Sequence, residues 1–156
     1  MTATTATRRQ TMPPGRDQPQ PGPASWPLLA ALDLGALPTA PACSRAWTRA
    51  ILREWQLAAL QESAGLLVSE LVTNSVQASR GMTHPAPVRL RLLSDGTQAV
   101  ILVWDASPQP PVPAHPGDDA ETGRGLLLVE AVSAQWGWYV PPNMGGKVTW
   151  AQPLPE

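Results

Sequence analysis

The chain has 156 residues, enough for one folded domain with a tail. A domain of that size buries on the order of two-thirds of its unfolded surface. A formal net charge of −1 with no basic run argues against a nucleic-acid surface. The single cysteine, Cys43, excludes an internal disulfide and a cysteine-cluster metal site. No apolar run approaches the ~20 residues a membrane span needs. Arg8 and Arg9 are not followed by an apolar stretch before the prolines begin, so no targeting signal is expected and a cytoplasmic location is. Lys147 is the only lysine among 11 basic residues, phenylalanine is absent, and seven tryptophans supply the aromatic bulk. Such usage suggests a GC-rich genome.

Residues 1–25 are threonine, alanine, proline, glutamine and glycine with scattered charge. Such a composition cannot bury a core, so a disordered proline-rich tail is predicted, followed by one domain over residues 26–153. Leu28–Leu34 reads as a first strand, broken by Pro38 and Pro41. Ser44 is expected to cap a helix running to about Trp55, with Ala46, Trp47, Ala50, Ile51 and Trp55 on its core face. A second helix is predicted from about Gln61 to Ser79. Its apolar residues Leu67, Val68, Leu71, Val72 and Val76 fall at helical spacing. Glu70 and Asn74, four residues apart, project from one face of it.

Val88 to Leu92 alternates strictly, the pattern of a half-exposed strand. Asp95-Gly96 marks a hairpin, and Ala99 to Trp104 is the returning, more buried strand. Asp105 closes that run. A loop of about residues 106–122 follows, too rich in proline for regular structure and of a length that is usually functional. It ends in Gly123-Arg124-Gly125, where a helical pattern begins and continues to about Ala134. A glycine turn feeding a helix N-terminus suits a phosphate group, because the first-turn N–H groups lack intrahelical partners and the helix dipole favours negative charge. Trp136–Val140 and Lys147–Gln152 are predicted to form a final hairpin. Strands grouped against a few helices predict an α+β fold: a two-layer sandwich, its mixed or antiparallel sheet covered on one face by about three helices. His84 and His115 sit beside prolines in loops, and no pattern makes them a metal pair.

Four motifs in order resemble those of the anti-sigma-factor serine/threonine kinases, a family of the histidine-kinase-like ATPase superfamily, in the form found among actinobacterial ATP-binding regulators. Ser69-Glu70-Leu71-Val72-Thr73-Asn74 is similar to the family's asparagine box. Trp104-Asp105-Ala106-Ser107-Pro108 is similar to its first glycine-box segment. Thr122-Gly123-Arg124-Gly125-Leu126 with Leu128-Val129-Glu130 is similar to its second. Gly145-Gly146-Lys147-Val148-Thr149-Trp150 resembles its final strand. The resemblance covers roughly residues 40–152.

The resemblance implies ATP and Mg²⁺ as cofactors. It implies that Asn74 coordinates a magnesium ion bridging the phosphates, a hard cation suited by an amide oxygen. Glu70 would be the catalytic residue, orienting or deprotonating the attacking group. Asp105, with Ser107 near it, would accept from the exocyclic amino group of adenine. Gly123 and Gly125 would let the backbone approach the phosphates. Arg124 would add charge there, and Leu126 opens the following helix. Two positions depart from the pattern. Ala78 stands where a histidine often follows the asparagine. Val148 stands where a threonine often follows the lysine, with the hydroxyl moved to Thr149. A one-residue shift reverses the facing in a strand, so Thr149 is not expected to replace the missing hydroxyl.

Three functions are consistent with these residues. One is a protein kinase that phosphorylates an antagonist protein and thereby controls a sigma factor, those two proteins being the partners the resemblance implies. Another is a non-catalytic, ATP-gated binding module. A third is a stand-alone ATPase domain acting through a homodimer. No transmembrane or phosphoacceptor segment is visible, so a complete sensor histidine kinase is not expected.

Overall fold

The structure, a computed structural model, describes residues 26–111 and 127–156. Five strands form one sheet: β1 (Leu28–Leu34), β2 (Val88–Ser94), β3 (Ala99–Asp105), β4 (Ser133–Tyr139) and β5 (Lys147–Pro153). Their order across the sheet is β1-β2-β3-β5-β4, and every neighbouring pair is antiparallel. Two long helices, α1 (Ala40–Glu54) and α2 (Gln61–Ser79), lie between β1 and β2 in the chain, with a single 3₁₀ turn (Ala58–Leu60) joining them. Residues 127–132 are helical and lead directly into β4. The fold is therefore the α+β sandwich expected, with an antiparallel sheet.

The strand period of two separates two apolar layers. Leu90, Leu92, Ile101, Val103 and Ala151 point from the sheet to the helices and pack with Leu52, Leu67, Val68, Leu71, Val72 and Val129. The alternate residues Leu93, Val100, Leu102, Tyr139, Val148 and Trp150 form a second cluster on the outer face, against which Trp26 and Trp104 pack. The outer face carries charge at the β1–β2 edge. Arg91 pairs with Asp33 at 3.0 Å, and the Arg89 guanidinium lies 5.2 Å from the centre of the Trp104 ring. Exposed charge along an edge strand discourages pairing with another sheet edge.

β1 runs over the predicted residues, and Ala30, Leu32 and Leu34 face the core while the intervening residues are exposed. α2 also spans its predicted range; its apolar stripe is buried along most of its length. α1 differs in two ways. It begins at Ala40 rather than after Ser44, with Pro41 inside its first turn. Proline fits there because its fixed φ suits the helix and the missing N–H would have no partner anyway. Ser44 is consequently not a cap: it is buried, and its hydroxyl donates to the Pro41 carbonyl at 2.7 Å. The buried face of α1 is Ala40, Ser44, Thr48 and Leu52, with Trp47, Ile51 and Trp55 beside it, whereas Ala46 and Ala50 are exposed. With Ser44 and Thr48 buried, the most buried face lies about one residue, roughly 100°, round the helix from the face that hydrophobicity alone selects.

At the other end, the strand takes Ser133 and Ala134 from the predicted helix. The Ser133 hydroxyl donates back to the Val129 carbonyl, in the last helical turn, and its backbone pairs with Pro153. The β2–β3 hairpin turns at Asp95-Gly96 as expected, with Gly96 at φ +96°. The Asp95 carboxylate accepts the N–H groups of Gln98 and Thr97 and the Thr97 hydroxyl, which hold its pKa below the ordinary value. The proline-rich tail and most of the loop after β3 lie outside the described residues. Among the described residues no helix is long and apolar enough to cross a membrane.

Candidate functional site

The site forms where α2 crosses β3 and β5. Asp105 is the last residue of β3, and Lys147 is the first of β5 and its direct cross-strand partner. Residues directly opposite in an antiparallel pair share a face. The two side chains therefore meet: Lys147 Nζ donates to Asp105 Oδ1 at 2.8 Å, with both side chains almost fully buried. Ser75 of α2 donates from its hydroxyl to Asp105 Oδ2 at 2.8 Å. The Ser107 N–H donates to Asp105 Oδ1 at 3.0 Å, closing the turn that follows the strand.

A hollow of about 190 Å³ opens over this pair. Asn74, Ser75, Gln77 and Ala78 of α2 form one wall, and Asp105, Lys147 and Thr149 form the floor. Gln109, Pro110 and Pro111 stand at its edge. The structure thus brings together Asn74 and Asp105, which the sequence identified separately. Ser107 does not line the hollow. It is buried, it serves Asp105 through its backbone N–H, and its hydroxyl accepts from the Gln109 N–H. Gly123, Arg124, Gly125 and Leu126 lie outside the described residues.

Thr149 corrects an expectation. It lines the hollow and is buried on the same side of β5 as Lys147, while Val148 points to the outer cluster. Strand alternation explains this, since residues 147 and 149 share a face. The inward position at the start of β5 belongs to Lys147, so a hydroxyl two residues on returns to the site.

Three features escaped the sequence. Ser75 was hidden because a serine beside Asn74 has no periodicity of its own. Lys147 was read as part of a motif, although its being the only lysine was a usable signal. Gly146 adopts φ +68°, and a Cβ placed on it would lie 2.1 Å from the Asp105 carbonyl oxygen. Only glycine fits that conformation and that approach. The Gly145 carbonyl also accepts from the Trp104 indole N–H at 3.0 Å, tying the β4–β5 turn to the end of β3.

Glu70 lies one helical turn before Asn74 and is partly buried, without lining the hollow. Desolvation raises its carboxyl above the ordinary value of 4.5. A carboxyl raised in this way binds its proton more tightly in the folded chain than in the unfolded one. Its contribution is therefore fully present below about pH 4.5 and lost as pH rises through the folded-state value. Glu70→Gln, which cannot ionise, should melt at a higher temperature than wild type near neutral pH, and the gain should shrink to nothing in acid. Melting curves at the two pH values check this; an equal difference at both would refute it.

Three further hydroxyls of α2 are occupied within the helix. Ser69, Thr73 and Ser79 each donate to the carbonyl four residues back. Asn74 and Gln77 line the hollow beside Ser75, whose hydroxyl is given to Asp105. No group of three or more histidine, cysteine, aspartate or glutamate side chains gathers among the described residues. A magnesium ion here would be held mainly by phosphate oxygens and water, with the Asn74 amide oxygen as a protein donor in place of the more usual carboxylate.

Comparison with curated proteins finds no match. A family model for the histidine kinase-like ATPase domain matches residues 34–150, from the end of β1 into β5. With most of its length matched, the chain belongs to the histidine kinase-like ATPase domain family and is an ATP-binding protein.

Proposed function

We propose that the chain is a regulatory serine/threonine protein kinase that transfers the terminal phosphate of ATP to an antagonist protein and thereby controls a sigma factor. The observation that carries this reading is the pair Glu70 and Asn74, one turn apart on α2, with Asn74 in the hollow and the Glu70 carboxyl pushed up by burial. A general base is most effective when its pKa moves towards the working pH. Magnesium, when bound, would neutralise charge on the phosphates; Asn74 would help hold it, and Asp105 would anchor the adenine. Glu70 would take the proton from a serine or threonine hydroxyl presented at the open side. Phosphoryl transfer needs mainly positioning and charge neutralisation, so so few side chains suffice. The proposed location is the cytoplasm, where ATP and a sigma factor are both present.

A second reading is an ATP-gated binding module without transfer. Ala78 supports it: the position lines the hollow with a methyl group and offers neither charge nor a proton.

Capture of a partner in the presence of MgATP, followed by a phosphate-transfer assay, separates the two. Under the kinase reading Glu70→Ala keeps ATP affinity within a few fold and loses roughly 10²–10⁴-fold in transfer rate. Asn74→Ala loses both binding and transfer. If wild type transfers no phosphate to the captured protein, and Glu70→Ala still holds it in an ATP-dependent way, the kinase reading fails and the module reading stands.

A further inference from the structure

We infer that Lys147 reads the nucleotide base directly, donating a hydrogen bond to a ring nitrogen adjacent to the exocyclic amino group that Asp105 accepts. The inference deepens the ATP-binding reading and rests on it. It begins from the hydrogen-bond capacity of the buried pair. An ammonium has three donors, and a carboxylate has about four acceptor positions. Lys147 is nine-tenths or more buried, and among the described residues its ammonium meets one acceptor, Asp105 Oδ1. Asp105 is buried and receives three donors: Lys147 and the Ser107 N–H on Oδ1, and Ser75 on Oδ2.

The floor of the hollow therefore presents spare ammonium donors beside one spare acceptor position on Oδ2. Buried polar groups are rarely left unpaired, so these positions point to a ligand with matching groups. The matching ligand carries a donor next to an acceptor on one edge. A planar ring with an amino group beside a ring nitrogen has that pattern, and the Watson–Crick edge of adenine is such an edge. The methyl of Ala78 and the rings of Pro110 and Pro111 around the hollow suit the faces of a flat heteroaromatic ring.

Both ends of this arrangement are fixed by the fold. Asp105 and Lys147 are cross-strand partners at the ends of β3 and β5, and Ser75 pins the carboxylate from α2. A carboxylate alone would read only the amino group. The added ammonium would make recognition depend on the neighbouring ring atom as well.

The test is a calorimetric titration of the full chain with MgATP and with the magnesium complex of 1-deaza-ATP, in which the N1 nitrogen is a C–H. A hydrogen bond to a charged donor is worth roughly a ten- to hundred-fold change in affinity. Wild type should bind the analogue more weakly by that factor. Lys147→Met should bind ATP more weakly by a similar factor and should no longer distinguish ATP from the analogue. If Lys147→Met fails to fold, Lys147→Arg, which keeps a cation against Asp105 but moves the donor, takes its place and should lose the same discrimination. Equal affinity of wild type for the two nucleotides overturns the role of Lys147 and leaves ATP binding intact. No binding of either overturns the ATP-binding reading on which the inference rests.

Discussion

Asp105→Ala should be among the most destabilising single changes in the protein. It removes the partner of Lys147, whose ammonium stays buried with no carboxylate to meet it. Breaking a buried pair from one side typically costs about 3–5 kcal/mol. It also takes the acceptor from the Ser75 hydroxyl and the Ser107 N–H. Domains of this kind hold about 5–15 kcal/mol in all, so the variant should melt on the order of 10 °C lower or fail to fold at growth temperature. Replacing both members by apolar residues of similar volume, Asp105→Leu with Lys147→Met, should recover much of that loss, because no charge is then left unpaired. The double variant should nevertheless bind no ATP. Denaturant unfolding of the single and double variants checks the first point, and a nucleotide titration of the double variant checks the second. A single variant as stable as wild type would mean that the pair is not closed off from water.

Gly146→Ala should be nearly as damaging for a different reason. The backbone there has φ +68°, and the new methyl would be forced 2.1 Å from the Asp105 carbonyl oxygen and 3.0 Å from the Ala106 Cα. The neighbour is backbone and cannot rotate away. Left-handed conformation costs a non-glycine residue roughly 1–2 kcal/mol, and overpacking typically adds about 1–3 kcal/mol. Relief would come from moving the start of β5 away from the end of β3, which separates Lys147 from Asp105. The expected outcome is a loss of about 3 kcal/mol together with a loss of ATP affinity. Gly145→Ala is the control, since it shares a positive φ but meets nothing within 4 Å. It should cost only the backbone term and leave binding largely unchanged. Equal effects from the two substitutions would contradict the close approach at Gly146.

The contrast between these neighbouring glycines illustrates what the sequence could and could not convey. The run of two glycines before β5 was legible as a turn. Which of the two touches another strand depends on the pairing of β5 with β3, a contact between segments about 40 residues apart. Elements defined by a local period were the most legible. β2 alternates over Val88 to Leu92, α2 keeps a regular apolar stripe, and Asp95-Gly96 is a turn whose chemistry is local. On α1, Trp47, Ile51 and Trp55 pack on the core as read, but Ser44 and Thr48, which a hydrophobicity pattern places outside, are buried in place of Ala46 and Ala50. Ser133 was assigned to a helix because its hydroxyl serves the helix while its backbone serves the strand.

The site was legible in the same partial way. Asn74 and Asp105 stand out as polar residues ending or interrupting apolar runs, and the fold brings both to one hollow. The orientation of Thr149 was misjudged because its facing was counted from Val148. The inward position in this chain is Lys147, which pairs with Asp105. Ser75 and the second role of Lys147 are properties of the assembled pair. No reading of either segment alone contains them.

The central claim is that the hollow over Asp105 and Lys147 holds ATP. The most direct measurement is a calorimetric titration of MgATP into wild type and into Asp105→Asn, which keeps the size of the side chain and removes its charge. Wild type should bind one nucleotide per chain. Asp105→Asn keeps an amide oxygen to accept from Lys147 but leaves the buried ammonium without a counter-charge, so it should melt below wild type and, held folded below its midpoint, should bind roughly ten-fold or more weakly, the scale of one hydrogen bond to a charged group. Wild-type affinity in a folded Asp105→Asn protein, or no binding by wild type, would contradict the account.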